Sequence, residues 1–324
     1  MNDQKPTPVT LTIYRDLRVG MVVITLMLFV AIVIEELSAT CWQFALSAYY
    51  YTSAHSIMIA ALLALGTLLI VYKGSNDTED VFLTLAGVSA LMIAMVPQGR
   101  PAMLCGRDDL PPQFQPAVQP NVWAVVVALF AGWLGMFCLH LRKRTWQPKR
   151  LLGILALGIF WLIMVLGFIA LVFFPSWFNA NIHGIAGVSM LLSFIITVFC
   201  AAYVVGREDI SKSPHRRGYQ RWYRWIAAVM VGTLIAVIAV HLRHPGWELW
   251  VLLMETLVIV EFAVYWMVQT VELWDTPDRR ERLPDEIQER LRQERTTGRA
   301  FTRMRSELTE ARDEPPGAGL LPLL

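Results

Sequence analysis

Ionisable side chains set among long apolar runs are where this sequence could do chemistry. Glu36 closes the first run, His183 opens the sixth, and Glu255 lies two turns into the eighth. A carboxylate beside hydrocarbon is costly unless it has a partner or a pocket. Two carboxylates and an imidazole at one depth could bind a divalent metal such as zinc, or divide the work of general acid and base. Glu35, His55, His241 and Glu248 fall near the same depth. At the rise of a helix Glu255 lies roughly 10 Å below the start of its run, and Glu261 is deeper still, turned by about a third of a circle. No two of these residues share the i, i+4 spacing of a preformed metal helix, so the fold has to assemble any site. Each also has a plainer reading: a buried hydrogen-bond partner that fixes helix packing for His183 and Glu255, and an interfacial side chain for His55 and His241.

The elements that would position them are membrane spans. The chain has 324 residues, 56% of them hydrophobic and only 17% charged, against roughly a quarter charged in ordinary soluble domains. Eight apolar runs, at residues 19–37, 54–72, 81–96, 122–141, 151–174, 182–205, 225–241 and 249–273, approach the roughly 17–25 residues needed to cross hydrocarbon about 30 Å thick. They are continuously apolar rather than alternating, which predicts helices and not barrel strands. The fold class expected is all-α, a polytopic transmembrane bundle of about eight spans. Residues 1–18 precede it as a short N-terminal segment, and a charged amphipathic helical tail, 274–324, follows it. The first apolar run is too long for the h-region of a cleaved signal.

Lys and Arg segregate. One side collects Lys5, Arg15, Arg18, Lys73, the 142–150 cluster, the 207–224 cluster and the Arg-rich tail, while the other has only Arg100, Arg107 and Arg243. The positive-inside rule then predicts both termini cytoplasmic in a bacterial inner membrane. It places the loop from Ser38 to Ser53, with Tyr49, Tyr50 and Tyr51, on the outer face. Cys41 and Cys105 share that oxidising side and are a candidate disulfide, with two free loop thiols as the alternative; Cys138 and Cys200 fall inside spans, where packing accounts for them. No CxxC pair is present, which argues against a zinc ribbon or a redox motif. In the turn from Lys73 to Asp80, Asp77 and Asp80 are expected to cap the third span. The basic clusters, with Trp146, Tyr219, Trp222, Tyr223 and Trp225 at the boundary, read as contacts to anionic lipid. No Gly-rich phosphate loop is found, and no nucleic-acid partner is expected. In the tail, Leu283, Ile287 and Leu291, then Phe301, Met304 and Leu308, form two apolar stripes suited to the membrane surface or a protein partner.

The run from Leu46 to Ala54 (LSAYYYTSA), with Ala64-Leu65-Gly66, Tyr72-Lys73-Gly74 and Leu85-Ala86-Gly87, resembles a group of uncharacterised bacterial polytopic membrane proteins with a Ser-x-Tyr-Tyr approach to the second span. His183, the stretch 216–224 with Tyr219 and Tyr223, and a last span with Trp250, Glu255 and Trp266 fit the same pattern. The resemblance covers residues 20–97 and 180–272. It implies a six-span bundle, with spans four and five an inserted hairpin and the tail an addition, and no established activity. Where relatives carry Arg followed by Asp or Asn, this chain has His55-Ser56. A remoter similarity to the CREST membrane hydrolases would imply a His/Asp zinc site, although their paired His-x-x-x-His is absent, since Gly187 follows His183.

Two functions follow as expectations. In one, a membrane-embedded hydrolase acts on a lipid or amide at the outer leaflet through Glu36, His183 and Glu255. In the other, a non-enzymatic protein transports a lipid or small molecule, or senses and signals through its tail. The first requires spans one, six and eight to be neighbours, with His183 the expected partner of Glu255.

Overall fold

The computed structural model describes residues 8–102, 104, 106, 109–143, 151–277, 279–286 and 288. Every long element among them is an α-helix: α1 Pro8–Glu36, α2 His55–Val71, α3 Asp77–Met95, α4 Val118–Lys143, α5 Leu151–Phe173, α6 Pro175–Val205, α7 Arg216–Arg243 and α8 Trp250–Glu272. Seven are long and apolar enough to cross a bilayer, and α2, with 17 residues, is a shorter apolar helix. The chain is a multi-pass membrane protein. Its helices outrun the apolar stretches where polar residues keep the helical pattern. Thus α1 starts at Pro8, α7 at Arg216, and α6 at Pro175, a residue suited to the first turn because its missing N–H would be unpaired there anyway. The predicted outer loop before the sixth span is therefore the first two turns of α6.

Packing closes a ring in the order α1, α2, α3, α6, α7, α8 and back to α1, with α6 also touching α8. Between α2 and α3 the backbones approach at Gly66 and Gly87, where a Cβ on either would come within 2.8 and 2.5 Å of the other's carbonyl oxygen. Small residues at such crossings are what membrane helices use, because lipid gives them no hydrophobic reason to associate. Phe194 and Phe262 stack across α6 and α8 with ring centroids 3.7 Å apart. Outside the ring, α5 leans on α3 and α6, and α4 touches α3 lightly. The apolar window of α3 is 78% buried and that of α4 only 6%, so α3 is central and α4 turns Val127, Phe130, Trp133 and Leu139 outward to lipid. Cys138 is exposed on α4 rather than packed, while Cys200 is buried.

One end of the bundle holds the start of α1, the α2–α3 turn, the α6–α7 loop and the residues after α8; this is the basic end. The α2–α3 turn corrects one expectation. The cap of α3 is Asn76, whose Oδ1 accepts from the Glu79 amide at 2.8 Å, while Glu79 Oε2 accepts from the Ser75 amide at 2.9 Å. Asp80 instead takes the Gly74 amide at 2.7 Å and pairs with Lys73 at 2.9 Å.

The chain after α8 does not leave the bundle as a free segment. Arg279, in the short 3-10 turn Arg279–Arg282, is fully buried, and Leu283 is buried with it. Arg280 Nε donates to the Ser75 carbonyl at 2.8 Å, and the Asp209 amide donates to the Arg282 carbonyl at 2.8 Å. A helical turn begins after Pro284, whose carbonyl accepts from Gln288. Both predicted apolar stripes beyond Leu283 lie outside the described residues. The root of the tail is thus part of the fold. Truncation after Asp275 should lower the melting temperature of the purified protein sharply, and Arg279→Ala should cost about 3–5 kcal/mol, because it leaves buried carboxylates unpaired. Unchanged thermal melts for both would mean that this segment is not docked.

Candidate functional site

At the end opposite the basic one, the loop after α1 turns back into the bundle. It forms a 3-10 helix, Leu46–Tyr51, in which all six residues are buried. The three tyrosines are therefore interior. Glu255 holds this helix by its N-terminus, where exposed amides favour an anion. Its Oε2 accepts from the Leu46 amide at 2.9 Å, and the carboxylate also takes the Ser47 amide. The Leu252 amide donates to the Phe44 carbonyl at 3.1 Å, so the first turn of α8 and the loop are joined twice. Glu36 accepts a short hydrogen bond from the Tyr49 hydroxyl. Burial and that carboxylate push the Tyr49 phenol well above the usual range, so it stays a donor. His183 Nδ1 lies 2.6 Å from the Val96 carbonyl at the end of α3. Ser47 Oγ reaches Gln98 Oε1 at 2.6 Å and Tyr51 reaches the Gln98 carbonyl at 2.9 Å, fastening the loop after α3 over the 3-10 helix.

Each of the three predicted site residues thus has its own partner: a tyrosine for Glu36, a carbonyl for His183 and two amides for Glu255. The partner expected for Glu255 was His183, and the structure supplies the 3-10 helix instead. Helices α1 and α8 are neighbours, as are α6 and α8. The cavity where α1, α2, α6 and α8 meet is lined by apolar side chains and Thr25, and none of the three reaches it. Among the described residues no three His, Cys, Asp or Glu side chains are grouped as a metal ion needs. His55 lies against Tyr50 and Phe114 with Nδ1 2.5 Å from the Tyr50 carbonyl, and His241 stacks on Trp250. Glu261 accepts from Thr233 at 2.7 Å, joining α7 to α8. Cys41 is disulfide-bonded; Cys105, its predicted partner, lies outside the described residues.

The densest polar cluster is at the basic end, and sequence reasoning missed it. Arg279 Nη2 pairs with Glu272 Oε2 at 2.6 Å, and Nε lies 3.5 Å from Glu208 Oε1; all three side chains are fully buried. Nη2 also donates to the Tyr223 hydroxyl at 3.2 Å, and Tyr223 donates to Glu272. Against the cost of burial, the Glu272 carboxylate raises the Arg279 guanidinium well above its ordinary range and keeps it charged. Alongside, Arg18 of α1, also fully buried, donates to Tyr72 at 3.0 Å, to the Leu273 carbonyl at 2.9 Å and to the Pro277 carbonyl at 3.0 Å. The Leu273 carbonyl, at the C-cap of α8, carries the negative end of the helix dipole. Tyr265 donates to Glu79 at 3.2 Å. The available signal was Glu272 ending an apolar run seven residues before Arg279; the Arg-Arg-Glu-Arg string reads as solvated tail because its other partners, Glu208, Tyr223 and Ser75, are more than 50 residues away.

Comparison with protein-family models, with curated proteins and with solved structures finds no match for this chain.

Two outcomes follow. Glu255→Ala, which strands two amides, should destabilise the protein by roughly 1.5–3 kcal/mol in thermal or denaturant unfolding, and Glu255→Gln by less; equal effects would mean that the carboxylate does not hold the 3-10 helix. Glu208 lies outside the spans, and burial first, then the Glu272 charge, push its carboxyl up from 4.5 to about 7 against the pull of Arg279. Between those values the folded state keeps a proton that the unfolded chain has released, so stability should fall as pH rises from 4.5 to about 7 and level off above. Melting curves of Glu208→Gln across that window should lack the slope, and a slope identical to wild type would assign it to another group.

Proposed function

We propose that the chain is a non-enzymatic sensor of a bacterial inner membrane, with both termini cytoplasmic, that passes the state of its bundle to its tail. The observation that supports this most is Arg279, a fully buried charge supplied by the tail and neutralised by α8 and the α6–α7 loop. A buried ion pair is seldom the most stable way to fill such a space, but losing one partner is costly, which makes docking of the tail all-or-none. A two-state element of this kind is what a switch needs. The Lys and Arg asymmetry supports the orientation, and the position of α4 and α5 outside a six-helix ring supports the resemblance to the six-span group. Membrane lipids contact the outward faces, and a protein partner would read the tail. The hydrolase reading needs Glu36, His183 and Glu255 to share a water or an ion, whereas each is engaged separately.

Spin labels at Ser211 and Asp285 in the full-length protein in nanodiscs test the reading. Wild type should give one short distance, and Glu272→Gln should add a longer one. A single short distance in every variant removes the switch. Turnover of a lipid ester or amide that Glu255→Gln abolishes, with the fold kept, would favour the hydrolase instead. Fluorescent protein fused after Leu324 should fluoresce and alkaline phosphatase there should be inactive; the reverse would overturn the orientation.

A further inference from the structure

Helices α3 and α5 both start at the basic end and run away from it side by side. They meet closely in their first turns, where a Cβ on Gly153 would stand 2.5 Å from the Asp77 Cβ. One and two turns further on, at Val81 and Thr84 of α3 and Leu157 and Phe160 of α5, they part around a crevice of about 120 Å³. That is near the roughly 150 Å³ of an apolar cavity that binds benzene. The walls at this depth are Val81, Leu157, Phe160 and Thr84, whose hydroxyl donates to the Asp80 carbonyl at 2.8 Å. Lys73 and Asp80 complete the lining at the end toward the α2–α3 turn. They form an ion pair at 2.9 Å, with the Lys73 side chain 68% exposed and that of Asp80 13%. One Asp80 oxygen takes the Gly74 amide and the other takes one N–H of the Lys73 ammonium, which has three.

The crevice is thus charged at the membrane boundary and apolar toward the membrane interior, which is the polarity of a membrane lipid. We propose that it binds one phosphatidylethanolamine molecule in the leaflet at the basic end. The phosphate lies on Lys73, the headgroup ammonium on Asp80, and the start of an acyl chain between Val81, Leu157 and Phe160. The two charges that line the mouth sum to zero, so a zwitterion matches them, whereas an anionic headgroup meets the Asp80 carboxylate. A primary ammonium brings N–H groups that a carboxylate accepts strongly, and the trimethylammonium of phosphatidylcholine brings none. The lipid fills the gap between the α4–α5 hairpin and the ring. The site uses no residue of the tail, and it stands or falls apart from the sensor reading.

The test uses the full-length protein, delipidated in detergent and titrated with phosphatidylethanolamine, phosphatidylcholine and phosphatidylglycerol of one chain composition. Bound lipid is counted by native mass spectrometry. Phosphatidylethanolamine should fill one site per chain about fivefold more tightly than either other lipid, a step that two partly exposed charge contacts can supply. Lys73→Gln and Asp80→Asn should each reduce that preference below about twofold while still melting cooperatively. Leu157→Trp, which fills the crevice and keeps both charges, should weaken binding about tenfold. Glycerophosphoethanolamine, the headgroup without its chains, should not displace the lipid at millimolar concentration. Should one variant fail to fold, the other two and the wild-type preference decide. The absence of a saturable site, equal binding of the three lipids, a preference for either other lipid, or wild-type binding in all three variants overturns the proposal. Displacement by the chainless headgroup overturns it too, because the apolar crevice would then be no part of the site.

Discussion

A guanidinium with no exposed surface must be neutralised where it lies, and the basic end of the bundle is arranged around that requirement. Arg279 sits between carboxylates from α8 and the α6–α7 loop, with a tyrosine of α7 donating to one of them. Glu79 and Tyr265 extend the cluster to α3, and Arg18 carries it to α1. Four helices of the ring and the root of the tail are therefore tied by groups that lose far more by separating than they gain by meeting. Such a cluster adds little net stability relative to an apolar filling, but it penalises every partly assembled arrangement. It gives the bundle one register at this end.

The opposite end solves a different problem with similar means. A loop that turns into a membrane protein brings unpaired amides with it, and these cannot be left without acceptors at that depth. Glu255 takes two amides of the 3-10 helix, the Gln98 carbonyl takes Tyr51, and the Tyr51 carbonyl takes the Leu110 amide. The carboxylates and histidine that look most like chemistry in the sequence are, in the fold, the groups that satisfy backbone and tyrosine partners. Intramembrane ionisable residues mark function only when something is left over after this accounting.

How much of this could be read in advance depends on the range of the interaction. The spans follow from unbroken apolar runs, a local property, and all eight have a helix at their place. Helix ends were less legible: α6 begins at Pro175 and α7 at Arg216 because polar residues continue a helix beyond the hydrocarbon, where hydropathy carries no signal. The cap at Asn76, rather than Asp77, is a one-residue difference settled by whether Glu79 can reach back to Ser75. The pairings of Arg279 with Glu208 and of Glu255 with Leu46 span about 70 and 210 residues; no periodicity or spacing encodes them. Tyr223, placed at the lipid boundary by its basic neighbours, is buried because α7 turns it toward Arg279.

The position of each helix follows from what it can offer a neighbour. In lipid, apolar surface gains nothing by burial against another helix, so cohesion comes from close backbone approach and from polar links. Helices α2 and α3 have the first, at Gly66 and Gly87. Helices α1, α7 and α8 have the second, through Arg18, Tyr223, Thr233, Glu261 and Glu272. Helix α4 has little of either. Its glycines Gly132 and Gly135 face open space, and its aromatic side chains Trp123 and Trp133 meet Phe168 and Trp161 of α5 from the ring-edge direction. A hairpin with such surfaces is as well solvated by acyl chains as by protein, which is why it rests on the outside of a ring that is already closed without it.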